Sequence, residues 1–131
     1  MPDVTCVGIV VADVVGKPIE RFPERGKLEL VDRIELHPGG CAANTGIGLA
    51  RLGVETAIIG KVGADGFGDF LIRCFESAGI DAEGVTRDPK AATAATMVLV
   101  HGDGERSFLH YLGANATFRR EDIAFERLQH S

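Results

Sequence analysis

The stretch that decides the fold runs from Pro38 to Gly68 and reads PGGCAANTGIGLARLGVETAIIGKVGADGFG. It opens on a Gly-Gly turn that leads directly into a run of small residues, Cys41 to Leu52, which is typical of a helix and is closed by Gly53. The apolar run Ala57 to Val62 then predicts a strand that is buried on both faces. A helix followed by a buried strand indicates a βαβ unit and a parallel sheet.

The flanking sequence extends this rhythm in both directions. The valine-rich run Val4 to Val11 predicts one more buried strand before the Gly-Gly turn. Apolar residues between Phe67 and Ala78 recur at helical spacing, which predicts a second helix with Asp65 as its N-cap and Gly79 at its end. We therefore expect an α/β fold with a partial parallel sheet and flanking helices.

Two other stretches have the alternating pattern of half-exposed strands. One is Lys27 to Leu36, and the other is Thr96 to Leu112, in which the turn residues 101–105 separate two short apolar runs. We interpret both as antiparallel strands set apart from the parallel sheet, forming a small β lid. The tail from Thr117 to Ser131 is interpreted as a short helix.

Composition excludes several classes of protein. The 131 residues are 45% hydrophobic and 25% charged, which is ordinary globular composition and excludes disorder, collagen and coiled coil. A net charge of −5 without a basic block argues against a nucleic-acid partner, and the longest apolar run is too short to span a bilayer. Three cysteines without CxxC spacing predict neither a disulfide framework nor a metal site, and indicate a reducing cytoplasm.

The turn itself is a candidate binding site. Gly39 and Gly40 would let a ligand approach the backbone at a helix start, and Asn44 offers both a donor and an acceptor that suit a sugar hydroxyl. Asp13 follows the first predicted strand, where open α/β sheets bind ligands. Each residue also has a structural interpretation: a tight turn, a local capping group, and an Asx turn that ends a strand. Cys41 is either a packing residue or a thiol with a lowered pKa.

Taken in order, these segments resemble the ribokinase-like (pfkB) carbohydrate kinases over essentially the whole chain. The segment from Pro38 to Gly68 is similar to the family's first signature. Around it stand the strand ending GIVVAD, the hairpin GDGERSFLHYLGAN and the predicted strands between Lys27 and Leu36. The resemblance implies that residues 1–131 are the N-terminal part of a ribokinase-like domain, with lid strands at about 15–37 and 94–112.

The resemblance also implies an activity: phosphoryl transfer from ATP, with Mg²⁺, to a hydroxyl of a sugar or related small alcohol. Asp13, Gly39, Gly40 and Asn44 match the family positions that bind the substrate hydroxyls. The lid would cover the substrate and form a homodimer contact. On the lid, Phe108 and Tyr111 are candidates for facing the substrate, with core or dimer packing as the alternative.

One part of the family pattern is missing. The second signature, a glycine-rich segment that carries the catalytic aspartate and lies beside ATP, is not found in these 131 residues. The resemblance therefore places no catalytic residue in this chain, which we expect to be inactive alone. Ribose, fructose, a sugar acid and a nucleoside stay open as substrates. The alternative functions are a nucleoside kinase and a non-catalytic binding or self-associating module of kinase ancestry.

Overall fold

Seven strands and two α-helices, arranged around two separate sheets, make up most of the protein in a computed structural model that describes residues 2–131. Three short 3₁₀ helices end the chain. The bounds of these elements, in chain order, are β1 Val4–Val7, β2 Val11–Ile19, β3 Arg33–Gly39, α1 Cys41–Arg51, β4 Thr56–Gly63, α2 Gly66–Ser77, β5 Asp81–Asp88, β6 Ala95–His101, β7 Arg106–Tyr111, and the 3₁₀ helices Gly113–Thr117, Arg120–Asp122 and Phe125–His130.

The first sheet, sheet A, is parallel and has the strand order β1-β4-β5. Helices α1 and α2 contribute to one core cluster with it, in which Ile58 of β4 and Leu71 and Phe75 of α2 are completely buried. Helix α1 lies very close to the sheet, because a Cβ added at Gly46 would come within 2.8 Å of Ile58 Cδ1. The short distance between helix and strand therefore requires glycine at position 46.

The second sheet, sheet B, has the order β3-β2-β6-β7 and is mixed. Strand β2 pairs antiparallel with β3, and β6 pairs antiparallel with β7, as expected for lid strands. The two central strands, β2 and β6, are parallel to each other, so the lid that was predicted from antiparallel strands is a mixed sheet. Strands that pair in parallel lie far apart along the chain, and neither of the two antiparallel sequence patterns predicts that β2 and β6 pair with each other.

The predicted single strand from Val4 to Val11 is two strands in two sheets. Strand β1 ends at Val7, the chain crosses at residues 8–10, and β2 begins at Val11 in sheet B. Val10, in the crossing, is completely buried in the core that α1 and α2 share. The hydrophobic run continues through the crossing, where Val10 is buried and Ile9 is 42% exposed, and hydrophobicity alone does not show where one strand ends and the next begins.

Helix boundaries and the hairpin agree closely with the sequence-based predictions. The Asp65 side chain accepts a hydrogen bond from the backbone N–H of Gly68 at 2.9 Å, which confirms it as the N-cap of α2. Gly53 and Gly79, predicted to end the two helices, have φ angles of +87° and +78°. The lid hairpin forms between β6 and β7 with its turn at residues 102–105.

Three stretches differ from the predictions. The part of the Lys27–Leu36 stretch that precedes Arg33 is not a strand, and Leu28 and Leu30 are 77% and 87% exposed, because no neighbouring strand pairs there. Strand β5 was missed since its sequence, DAEGVTRD, lacks an apolar pattern, which is common in charged edge strands. The predicted terminal helix consists of 3₁₀ turns instead.

The buried carboxylate of Asp88 ties the end of β5 to the chain that leaves the lid. It accepts hydrogen bonds from the Thr117 hydroxyl at 2.6 Å and from the backbone N–H groups of Lys90 and Ala91 at 2.7 and 2.9 Å. These bonds, led by the one from Thr117, hold the pKa of the Asp88 carboxyl well below its ordinary value. The carboxylate thus stabilises the folded protein in its ionised form.

We expect Asp88→Asn to lower the free energy of unfolding at pH 7, and this loss to shrink as the pH falls below about 4. A carboxyl whose pKa is depressed by folding stabilises the protein above its unfolded pKa of about 3.9, and that stabilisation is lost as the pH falls through the folded pKa. Urea unfolding at pH 7, 5 and 3 measures the difference. Asp32→Asn, in the exposed β2–β3 loop, is the control for the charge change. A pH-independent difference for Asp88→Asn would contradict the prediction.

Candidate functional site

Asp13 and Gly39 lie against each other on neighbouring strands. Asp13 is the third residue of β2, and not, as predicted, a residue beyond a strand end. Its register partner on β3 is His37, two residues before Gly39. A Cβ added at Gly39 would come within 2.3 Å of Asp13 Oδ2. The space that a side chain would take at this position is therefore occupied by the carboxylate.

Gly40 connects β3 to α1 in a conformation that other residues avoid. Its φ and ψ are 91° and 154°, a region that is essentially reserved for glycine. A Cβ at this position would lie 2.6 Å from the carbonyl oxygen of Ile9, in the crossing between the two sheets. The same carbonyl accepts a hydrogen bond from the Ala42 N–H at 3.2 Å. The start of α1 is thus packed directly on the backbone that joins sheet A to sheet B.

Asn44 lies in the first turn of α1, one turn beyond the two glycines. Its backbone N–H donates to the carbonyl oxygen of Gly40 at 2.9 Å, and its residue surface is exposed. No side-chain hydrogen bond caps the start of this helix, so Asn44 does not serve as the local capping group that was the structural alternative. A role in substrate binding stays a prediction for Asn44, as it does for Asp13, Gly39 and Gly40.

The Asp13 carboxylate lies between polar residues of both neighbouring strands. Its register partners are His37 on β3 and Thr96 on β6. Partial burial raises the pKa of the Asp13 carboxyl above its ordinary value, although hydrogen bonding from Thr96 and the nearby His37 and His110 act in the opposite direction. A carboxylate that is kept partly desolvated, with no salt-bridge partner among the described residues, is a typical feature of a binding site.

The polar neighbours of Asp13 were not predicted from the sequence. His37, Thr96 and His110 come from three strands, and they meet Asp13 only through the pairing of those strands. The signal available in the sequence was the alternation in the run SFLHYL, where a histidine interrupts apolar residues. That alternation identifies one face of β7, but it does not say which residue lies across from it.

The two lid candidates lie on opposite faces of sheet B. Phe108 pairs with Val98, which pairs with Val15, so Phe108 is on the face of Asp13. Tyr111 pairs with Ala95, the residue before Thr96, which is the partner of Asp13. Because successive residues of a strand point to opposite faces, Tyr111 is on the face opposite Asp13. Phe108 stays a candidate for substrate contact. For Tyr111 the register favours the alternative, packing or a dimer contact.

Neither a membrane span nor a metal cluster is found in the part of the chain that the structure describes. No helix there is long and apolar enough to cross a bilayer. No group of three or more histidine, cysteine, aspartate or glutamate side chains within residues 2–131 could hold a metal ion. The donor set of these residues does not fit a Mg²⁺ site.

The fold and the site together define a class of protein: a ribokinase-like α/β domain in which a carboxylate on a small β lid lies against the glycine turn that precedes a helix. The model of the family "pfkB family carbohydrate kinase" matches residues 1–130, and the chain belongs to that family. This confirms the resemblance found in the sequence and the predicted fold class.

Individual relatives show the same similarity. The protein named "Probable fructokinase-6, chloroplastic" from Arabidopsis thaliana is 36% identical over 123 residues, which are 92% of this chain and 30% of that protein. The crystal structure of a fructokinase from Xylella fastidiosa with bound ATP has a TM-score of 0.78 at 31% identity, covering 97% of this chain and 39% of that one. A ribokinase structure from Thermotoga maritima has a TM-score of 0.84 at 26% identity, covering 100% and 43%. The chain thus spans less than half the length of these relatives.

Proposed function

We propose that this chain forms the sugar side of the active site of a sugar kinase, which transfers a phosphoryl group from ATP to a hydroxyl of its substrate. The observation that carries the proposal is the contact between the Asp13 carboxylate and Gly39, directly before the exposed first turn of α1. An ionised carboxylate only accepts hydrogen bonds, so it suits the hydroxyl groups of a sugar. Family membership and the fructokinase and ribokinase relatives support the same substrate class.

Within this proposal each element of the chain has a separate task. Asp13 and Asn44 bind and orient substrate hydroxyls, and the glycines allow the substrate to approach the backbone. Sheet B covers the substrate and excludes water, which would otherwise compete for the phosphoryl group. ATP would supply that group, and Mg²⁺ would neutralise its charge. Both would be held by residues outside this chain, which is therefore proposed to bind sugar without catalysing transfer.

Two assays on the purified chain test the proposal. We expect at least one of D-fructose, D-ribose, D-gluconate and adenosine to raise the melting temperature, since a ligand at 100 times its dissociation constant stabilises by about 2.7 kcal/mol. We expect no release of ADP from ATP in the presence of any of them. Absence of stabilisation by all four ligands contradicts the binding role. ADP release that depends on a sugar contradicts the assignment of the chemistry to residues outside this chain.

We further propose a homodimer that forms through the lid. The face of sheet B opposite Asp13 carries Leu36, Val14, Met97 and Leu109 in one cross-strand row. Met97 and Leu109 are 53% and 57% exposed, and adjacent apolar residues extend the row to a patch of the kind that marks a protein interface. A second copy of the same patch is complementary to it, because both partners would be apolar.

A charge in this patch should prevent dimer formation. We expect the wild-type chain to sediment as a dimer at micromolar concentration and Leu109→Lys to sediment as a monomer, because an unpaired ammonium would be buried at the interface. Ser107→Lys, on the same face near the hairpin turn, is the control at the rim. A monomeric wild type, or a dimeric Leu109→Lys, would refute the lid as the interface.

The remaining parts of the proposal concern the setting. We propose a cytoplasmic protein whose partners are a small-molecule substrate and a second copy, and neither nucleic acid nor a membrane. The negative net charge of −5 and the three free cysteines among the described residues support this setting.

A further inference from the structure

Four polar side chains form one row across all four strands of sheet B. In strand order they are His37, Asp13, Thr96 and His110, and each is the register partner of the next. Residues directly opposite each other on neighbouring strands project from the same face, with Cβ atoms about 4.5–5.5 Å apart in antiparallel pairs. The row therefore places both histidines on the same face of the lid as the proposed substrate-binding carboxylate.

Hydrogen-bond chemistry limits the directions of the bonds that this row can form. The Thr96 hydroxyl lies 2.7 Å from Nδ1 of His110, and hydrogen bonding from Thr96 lowers the pKa of the neighbouring Asp13 carboxyl. A carboxylate cannot donate, and a hydroxyl has a single proton to give. If Thr96 donates to Asp13, its oxygen must accept the Nδ1–H of His110. Neutral His110 then carries its proton on Nδ1, and Nε2 keeps a free lone pair.

On the face that carries this row, the residues of the central strand β6 are buried, whereas Phe108 and His110 on the edge strand β7 are exposed. Thr96 and Val98, which project on the side of Asp13, are only 8% and 4% exposed. Met97 and Leu109, on the opposite side, are more than half exposed. His110 Nε2 has no hydrogen-bond partner within residues 2–131, although its Nδ1 does. Nε2 is thus available to a ligand next to Asp13 in the row.

We infer that His110 is a specificity-determining residue, whose Nε2 accepts a hydrogen bond from a second substrate hydroxyl beside the one bound by Asp13. Thr96 is a positioning residue, which orients both groups. The inference rests on the proposed function and deepens it. Two adjacent acceptors need two O–H donors, so the row selects a neutral polyhydroxylated sugar. It disfavours a sugar acid, because a second carboxylate would lie beside Asp13 without a donor.

Imidazole NMR and ligand binding test this inference separately. Long-range ¹H–¹⁵N spectra of the wild-type chain at pH 8 should show His110 with its proton on Nδ1, and Thr96→Val should shift it toward Nε2. In melting-temperature titrations, His110→Phe should weaken binding of D-fructose or D-ribose about 2- to 10-fold, since it removes one neutral hydrogen bond. His110→Gln, which retains an acceptor, should recover most of this loss, and D-gluconate should bind more weakly than either neutral sugar.

The control is His101→Phe, at the end of β6, where the ring contacts Ser107 and not Asp13. It should bind the sugars as the wild type does. An Nε2–H tautomer in the wild type, or unchanged sugar affinity in His110→Phe, would overturn the inference while the proposed function stands. If the wild type binds none of the tested ligands, the proposed function fails, and the inferred specificity fails with it.

Discussion

Replacing Gly40 with alanine is expected to lower the free energy of unfolding by about 2–6 kcal/mol, a large part of the stability of an ordinary domain. Two costs add up at this position. The backbone at φ 91° and ψ 154° is strained for any residue with a side chain. The new methyl group would also lie 2.6 Å from the carbonyl oxygen of Ile9, which is backbone and cannot rotate away. Equilibrium urea unfolding at pH 7 measures the loss.

Gly48→Ala is the matched control for this substitution. Gly48 lies within α1, its φ is not positive, and an added Cβ there would meet no atom within 4 Å. Alanine is favoured over glycine inside a helix by about 0.5–1 kcal/mol, so this variant should be slightly more stable than the wild type. Equal stability of Gly40→Ala and Gly48→Ala would show that the turn tolerates a side chain, against the geometry described above.

Asp13→Asn is expected to weaken sugar binding roughly 10- to 150-fold, which corresponds to the loss of about 1.5–3 kcal/mol from a hydrogen bond to a charged group. The fold should not be destabilised at pH 7. Burial raises the pKa of the Asp13 carboxyl, so its ionised form is disfavoured in the folded protein, and a neutral amide of the same shape removes that penalty. Melting-temperature titrations with D-fructose and D-ribose measure binding, and urea unfolding measures stability.

The pH dependence separates this prediction from a general loss of structure. Because the folded pKa is raised, the penalty is present above that pKa and disappears as the pH falls below the unfolded value of about 3.9. Any stability advantage of Asp13→Asn should therefore shrink between pH 7 and pH 3. Asp32→Asn, in the exposed loop, should change neither property. Wild-type affinity in Asp13→Asn would remove this carboxylate from the proposed site.

Local patterns predicted the local structure of this protein well. The helical stripe of α2, its Asp65 cap and the Gly79 end are all set within a few residues of one another, and the structure has them as predicted. The same holds for the β6–β7 hairpin, whose turn residues lie next to its strands. These features depend on backbone conformation and nearby hydrogen bonds, which the neighbouring residues largely determine.

The candidate site was predictable only in part. Gly39, Gly40 and Asn44 are consecutive or nearly so, and their position at a helix start followed from the sequence. Asp13 was singled out as well, but it was placed after a strand of the parallel sheet when it lies inside a strand of the lid. The error arose at the crossing of residues 8–10, where the hydrophobic run continues although the chain changes sheets.

By itself, the sequence determined the helices, their caps, the hairpin, the glycine turn and, through its resemblance to a family, the fold class. Only the tertiary structure decided that β2 and β6 pair in parallel, that Asp13 rests on Gly39, and that Thr96 and His110 complete its row. The physical reason is that the β2–β6 pairing joins residues more than 80 positions apart, such as Asp13 and Thr96. The energy of this pairing depends on packing and register across the whole lid, so no single segment of the chain predicts it.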